Sequence, residues 1–225
     1  MGILSGVLDF LFPPKCMFCH RVLKTGETGC CSQCAKELVT APSPRYGISF
    51  DRCLAPMVYE GSVRSALIRF KFENRPGYAT GLGRILAHFI RENLTGQYDL
   101  ITWVPVSSER LKQRGYDQAM LLAMAAALEL GDVAVETLKK CRDNPAQSSL
   151  EDADQRRSNV MGAYAAVDPE LIAGKRILLV DDIITTGSTL EEASHTLRSA
   201  GAKSVLAVAV AQTSRKNKTT EEESS

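Results

Sequence analysis

The sequence predicts an α/β fold, a parallel sheet flanked by helices, with a small cysteine-bearing module in front of it. Two observations carry this. From residue 56 to about 212, short apolar runs alternate with stretches of helical periodicity. Residues 1 to 55 instead hold six of the seven cysteines and few long apolar runs, so that segment needs a ligand rather than a core of its own. With 225 residues, 44% hydrophobic and 24% charged, one main domain plus an appendage is expected. The net charge of +1 gives no global field towards nucleic acid or membrane.

Taken in order, helical spacing runs from Leu82 to Leu94, a strand from Leu100 to Val106, and a second helix from Gln118 to Leu130. Arg176 to Val180 (RILLV) reads as a buried strand, Thr189 to Ala200 as an amphipathic helix closed by Gly201, and Ser204 to Val210 as a further buried strand. Residues 213 to 225 form a polar tail expected to be disordered. The domains expected are therefore 1–55, 56–212 and the tail 213–225.

Cys16-x-x-Cys19 and Cys31-x-x-Cys34, eleven residues apart, have the spacing of a four-thiolate zinc knuckle. A closed sulfur shell around Zn²⁺ is structural, with no open position for water. Pairing Cys30 with Cys34 breaks the two-residue interval, and His20 is a weaker ligand candidate because four thiolates already complete the shell. Cys53 and Cys141 stand alone and read as small buried hydrophobes. Close cysteine pairs in an odd total fit a reducing compartment, so a cytoplasmic protein is expected. The apolar stretch Ile3 to Pro13 is about half the length of a bilayer span and no basic residue precedes it; neither a signal peptide nor membrane insertion is expected.

RILLV runs straight into Asp181-Asp182, Ile183-Ile184 and then Thr185-Thr186-Gly187-Ser188-Thr189. Ligands of α/β sheets collect at strand C-terminal ends, where the next helix presents its N–H groups to an anion. Gly187 permits a tight turn against a phosphate, and the four hydroxyls add donors. Two carboxylates repel a bare phosphate, so their partners are sugar hydroxyls or a cation, and the combination points to a ribose phosphate. The plainer alternative is an acidic turn followed by a helix-cap cluster.

These residues resemble the type I phosphoribosyltransferase signature, and the whole chain resembles the ComF family. The resemblance rests on the order of FLFPPKCMFC (Phe10 to Cys19), IRFKF (Ile68 to Phe72), WVPVS (Trp103 to Ser107), RLKQRGYDQA (Arg110 to Ala119), QSSL (Gln147 to Leu150), RRSNV (Arg156 to Val160) and LVDDIITTGST (Leu179 to Thr189). It implies a type I phosphoribosyltransferase fold that binds 5-phosphoribosyl-1-pyrophosphate with Mg²⁺. Asp181 and Asp182 would hold the ribose hydroxyls and are the catalytic candidates; Thr185, Thr186, Gly187, Ser188 and Thr189 would hold the 5-phosphate. The loop after WVPVS, with Arg110, Lys112, Arg114 and Gly115 to Gln118, would form a mobile flap near the pyrophosphate, where arginine forks suit phosphate oxygens. Tyr116 stands where the family often has Phe. Spacing assigns no role to Gln147, Arg156, Arg157 or Asn159.

The resemblance further implies a role in DNA uptake, with single-stranded DNA and other uptake proteins as partners and phosphoribosyl transfer to an unnamed acceptor. The alternatives are a nucleotide-salvage phosphoribosyltransferase and a sensor of the donor without catalysis. Residues 1–80 carry ten Lys/Arg against six Asp/Glu, a local +4, and Phe18, Phe70 and Phe72 lie among Arg69 and Lys71, which permits base stacking. Aromatics at that spacing more often face a core. His88 and His195 fall off the apolar stripes of their helices and are expected in solvent.

Overall fold

The computed structural model describes residues 13–141 and 162–214. Gln147, Arg156, Arg157 and Asn159, and most of the polar tail, lie outside the described residues.

The elements begin with α1 (Ser32–Leu38), β1 (Arg52–Leu54), β2 (Met57–Val58), α2 (Gly61–Phe72), α3 (Tyr78–Asn93) and β3 (Leu100–Trp103). There follow α4 (Ser108–Arg114), α5 (Gln118–Leu130), β4 (Leu138–Lys140), β5 (Tyr164–Ala166) and α6 (Pro169–Ile172). The last three are β6 (Arg176–Ile184), α7 (Ser188–Ser199) and β7 (Ser204–Gln212). The main sheet has five strands in the order β1-β7-β6-β3, with β2 also on β7, and every pairing in it is parallel. An antiparallel hairpin of β4 and β5 lies apart. β1 and β2 form one edge, interrupted at Ala55-Pro56, since proline cannot donate to a ladder. The Pro56 carbonyl there accepts the N–H groups of Thr40 and Ala41, each at 3.0 Å.

Alternation along the central strands divides the interior between two cores. Leu178 and Val180 of β6 join Leu206, Val208 and Val210 of β7 on the face covered by α2, α3 and α5. Ile177 and Leu179 join Val205, Ala207 and Ala209 on the face covered by α6, α7 and the hairpin. Burial on both faces explains why these strands are nearly continuous apolar runs.

The expected strands and helices are present, with shifted ends. α3 begins at Tyr78 rather than Leu82, because Gly81 and Gly83 weaken the local helix signal yet serve close packing. A Cβ on Gly83 would stand 2.4 Å from the Ala125 Cβ of α5, and one on Gly81 would stand 2.4 Å from the Met17 Cε. β3 stops at Trp103, and β6 runs past Val180 through both aspartates to Ile184. Cys53 is fully buried, as expected, whereas Cys141 is exposed: it follows the short hairpin strand β4 and has no core to enter. His88 and His195 are in solvent, and His88 pairs with Glu92 at 3.2 Å.

Candidate functional site

The first cysteine pair sits in a returning turn, where the Cys16 N–H donates to the Arg21 carbonyl at 2.8 Å and the His20 N–H to the Cys16 carbonyl at 2.9 Å. The second pair straddles the start of α1, with Cys31 as N-cap. Cys31 donates its N–H to the Cys16 Sγ at 3.4 Å, and the Cys34 N–H reaches the Cys31 Sγ at 3.4 Å. Burial pushes the Cys31 thiol up, but the hydrogen bonds from Cys34 and Arg21 outweigh it and hold it near 6. Burial takes Cys30 the other way, up to about 12, so Cys30 stays a thiol.

The sulfurs of Cys16, Cys19, Cys31 and Cys34 all lie within 4.8 Å of one another. The Cys19–Cys31 separation is 3.8 Å, matching the roughly 3.8 Å sulfur spacing that a tetrahedron with Zn–S bonds of about 2.3 Å requires. This donor set fits a structural zinc ion, and among the described residues it is the one such grouping. The module docks on the main fold: Met17 is buried, Gly29 approaches Gly81 closely, and Arg69 of α2 donates to the Met17 carbonyl at 2.7 Å.

At the C-terminal end of the sheet, the two aspartates of β6 meet different surroundings. Asp182 faces α2, where the Lys71 Nζ lies 2.8 Å from its Oδ2. Asp181 accepts the Asp182 N–H at 2.8 Å. Burial, then the Asp182 carboxylate, drive the Asp181 pKa up to about 8 against the pull of Lys71. On its other side stand the Cys53 thiol and the Tyr164 phenol, both pushed up by burial first and then by Asp181. A third carboxylate, Asp117, caps α5 through the Met120 N–H at 3.0 Å and accepts the Val106 N–H at 2.9 Å. Burial raises its pKa, and those two bonds oppose the rise.

Beyond Ile184 the chain turns into α7 through Gly187, whose φ is +89°. The atoms nearest a Cβ there are 3.8 Å away, so backbone conformation rather than crowding calls for glycine. Thr185, Thr186, Ser188 and Thr189 are exposed, and the Thr186 and Ser188 hydroxyls pair at 2.9 Å. Gly187 supplies no capping side chain to α7, and its first-turn N–H groups are an anion site by geometry and dipole.

Two sets of contacts escape the sequence, one made by Arg45 and Glu191 and one by Lys71. Arg45 donates to the carbonyls of Thr185 and Thr213, and Glu191 of α7 accepts the N–H groups of Ile48, at 2.9 Å, and Ser49. Residues 45–50 are thereby strapped along the Thr185–Thr189 turn. The expected flap over residues 110–118 differs as well: Arg110, Lys112 and Arg114 lie in α4, capped by Ser107 and ended by Gly115 at φ +79°. No residue of α4 is buried, so its caps rather than a core hold it. Arg114 stacks over the exposed Phe72 ring at 5.2 Å. Of the three aromatics read as base-stacking candidates, Phe18 and Phe70 are buried and Phe72 is exposed, with the Arg114 guanidinium over its ring.

Residues 7–48 match the model of a double zinc ribbon domain, and residues 117–225 that of a phosphoribosyl transferase domain. Competence protein F of Haemophilus influenzae is 29% identical over 215 residues, covering 85% of this chain and 93% of that protein. DNA utilization protein YhgH of Salmonella typhimurium is 29% identical over 217 residues, covering 86% and 94%. Competence protein ComFC of Streptococcus pneumoniae is 31% identical over 155 residues, covering 67% of this chain and 64% of that protein. The chain is a homologue of competence protein F, ComFC and YhgH. Its sheet is that of a type I phosphoribosyltransferase fold with a zinc-ribbon module in front; Asp181, Asp182 and the Thr185–Thr189 turn fall inside the transferase match and the four cysteines inside the ribbon match. No described helix is long and apolar enough to cross a membrane.

Proposed function

We propose that this chain binds 5-phosphoribosyl-1-pyrophosphate with Mg²⁺ at the end of β6, and that it serves DNA uptake, a reading supported by relatives named for competence and DNA utilization. One observation carries the reading: two carboxylates at a strand end lead directly into a glycine-centred turn at the N-terminus of α7. The Thr185–Thr189 turn takes the 5-phosphate, and Asp181 and Asp182 take the sugar hydroxyls. Arg110, Lys112 and Arg114 of α4 draw the pyrophosphate, whose charge Mg²⁺ neutralises when bound.

If transfer to an acceptor follows, the part of these residues is to hold the sugar while the bond from its anomeric carbon to pyrophosphate breaks and the bond to the acceptor forms. Asp181, with its pKa near 8, is the better placed of the pair to take a proton near neutral pH. The division of labour follows the chain: a zinc module within 1–55, the last residues of which join the main sheet as β1, a donor-binding domain at 56–212 and the tail at 213–225. The basic N-terminal side is the face for single-stranded DNA and other uptake proteins, in the cytoplasm.

Calorimetric titration of the zinc-loaded chain with the donor and Mg²⁺ tests this. Asp181→Asn with Asp182→Asn is expected to weaken binding by at least about a hundredfold, the scale of two lost hydrogen bonds to charged acceptors. Unchanged affinity overturns the site. Pyrophosphate release in the presence of bases, nucleosides and short oligonucleotides then separates transfer from binding alone, and salt-sensitive oligonucleotide binding without release favours the DNA-handling role.

A further inference from the structure

Lys71 belongs to the IRFKF run, whose place in the sugar-phosphate site the sequence left open. The end of α2 is held from three sides. Phe70 is fully buried, which is worth about 1.5–3 kcal/mol for such a ring. Tyr116 packs on the Phe70 ring at a centroid distance of 5.7 Å and donates its hydroxyl to the Phe70 carbonyl, and Arg114 covers Phe72. Between these anchors Lys71 has little freedom, and its ammonium meets Asp182 with side chains only 19% and 12% exposed.

The charge around it gives this contact a purpose. Asp117, Asp181 and Asp182 act on one another electrostatically, and the ligand of the proposed function is a polyanion. Negative charge gathered at the end of β6 would repel pyrophosphate and phosphate groups at short range. We propose that Lys71 is a binding residue of the sugar-phosphate site, its ammonium fixing the Asp182 carboxylate and offsetting the acidic cluster so that a polyanionic sugar can settle on it. This rests on the donor-binding reading and deepens it. An ion pair kept only for stability would leave ligand affinity alone and show itself in the thermal midpoint, because removing one partner of a largely buried pair strands the other charge.

The test is calorimetric titration of the full zinc-loaded chain with 5-phosphoribosyl-1-pyrophosphate plus Mg²⁺, and separately with ribose 5-phosphate, alongside the ligand-free thermal midpoint. Lys71→Met is expected to weaken both ligands by at least about tenfold and to lower the midpoint as Asp182 loses its partner, while Lys71→Arg, which keeps the charge, stays within about threefold of the parent in affinity. Should Lys71→Met fail to fold, Lys71→Gln carries the same comparison. Wild-type affinity in the uncharged variant overturns the role of Lys71 and leaves the site standing. Equal losses in Lys71→Arg and Lys71→Met overturn the charge argument, and a wild-type chain that binds neither ligand overturns the site reading together with this inference.

Discussion

Adjacent carboxylates at the end of β6 differ because a strand sends neighbouring side chains to opposite faces: Asp182 finds a lysine, and the half-buried Asp181 finds a thiol and a phenol. An acid whose pKa rises on folding contributes stability that is whole below its ordinary value near 3.8 and is lost as pH climbs to about 8. The thermal midpoint is therefore expected to fall across that window. Asp181→Asn should flatten the fall and leave the variant the more stable of the two above its upper end, as a pH series by calorimetry or circular dichroism would show. A variant curve parallel to the wild type would mean that Asp181 ionises freely in the fold. The glycine turn at Thr185–Thr189 and the cysteine quartet are legible because their residues are contiguous or closely spaced. Arg45 is not, since its partner Thr185 stands 140 positions away and a lone arginine in a proline-flanked stretch carries no pattern. Lys71 lay in a noted motif, but only the fold reveals that α2 carries it to Asp182.

Elements were legible where the period was clean and blurred where a residue served two purposes. Gly81 and Gly83 shortened the helix read from the sequence, although α3 needs both to approach its neighbours. Gly83→Ala poses the competition directly. Alanine gains about 1 kcal/mol of helix propensity over glycine, but its Cβ would stand 2.4 Å from the Ala125 Cβ and 3.0 Å from the Ala125 carbonyl carbon. Overpacking of that kind costs about 1–3 kcal/mol, and backbone cannot swing aside as a flexible side chain can. A net loss of roughly 1 kcal/mol or more is expected, read as a lower urea midpoint at unchanged slope. A more stable variant would mean that α3 and α5 can part without loss. α4 passes for loop in the sequence because its seven residues bury nothing and no apolar periodicity announces it; its Ser107 cap and Gly115 stop are the local signals that mark it.

Across the whole molecule, the zinc module and the sheet domain share one interior. Cys16, Met17, Phe18, Cys31 and Cys34 lie in the same buried cluster as Leu67, Phe70, Leu82 and Leu86. Metal binding is folding energy for such a module, and losing it would also bare the faces of α2 and α3 beneath. Elemental analysis is expected to give one zinc per chain, and chelation to lower the thermal midpoint by more than about 5 °C, since 1 kcal/mol corresponds to roughly 2–4 °C at this chain length. The donor site should respond differently. The strap at residues 45–50 is tied to the turn and α7 by Arg45 and Glu191, and β1 follows it into the sheet at Arg52; none of these bonds involves a cysteine ligand. Below its lowered midpoint the zinc-free chain is therefore expected to bind 5-phosphoribosyl-1-pyrophosphate with Mg²⁺ within about threefold of the holo form, a difference under about 0.7 kcal/mol. Affinity lost in step with the metal would show that the strap depends on the module, and that zinc holds the phosphate turn as well as the fold.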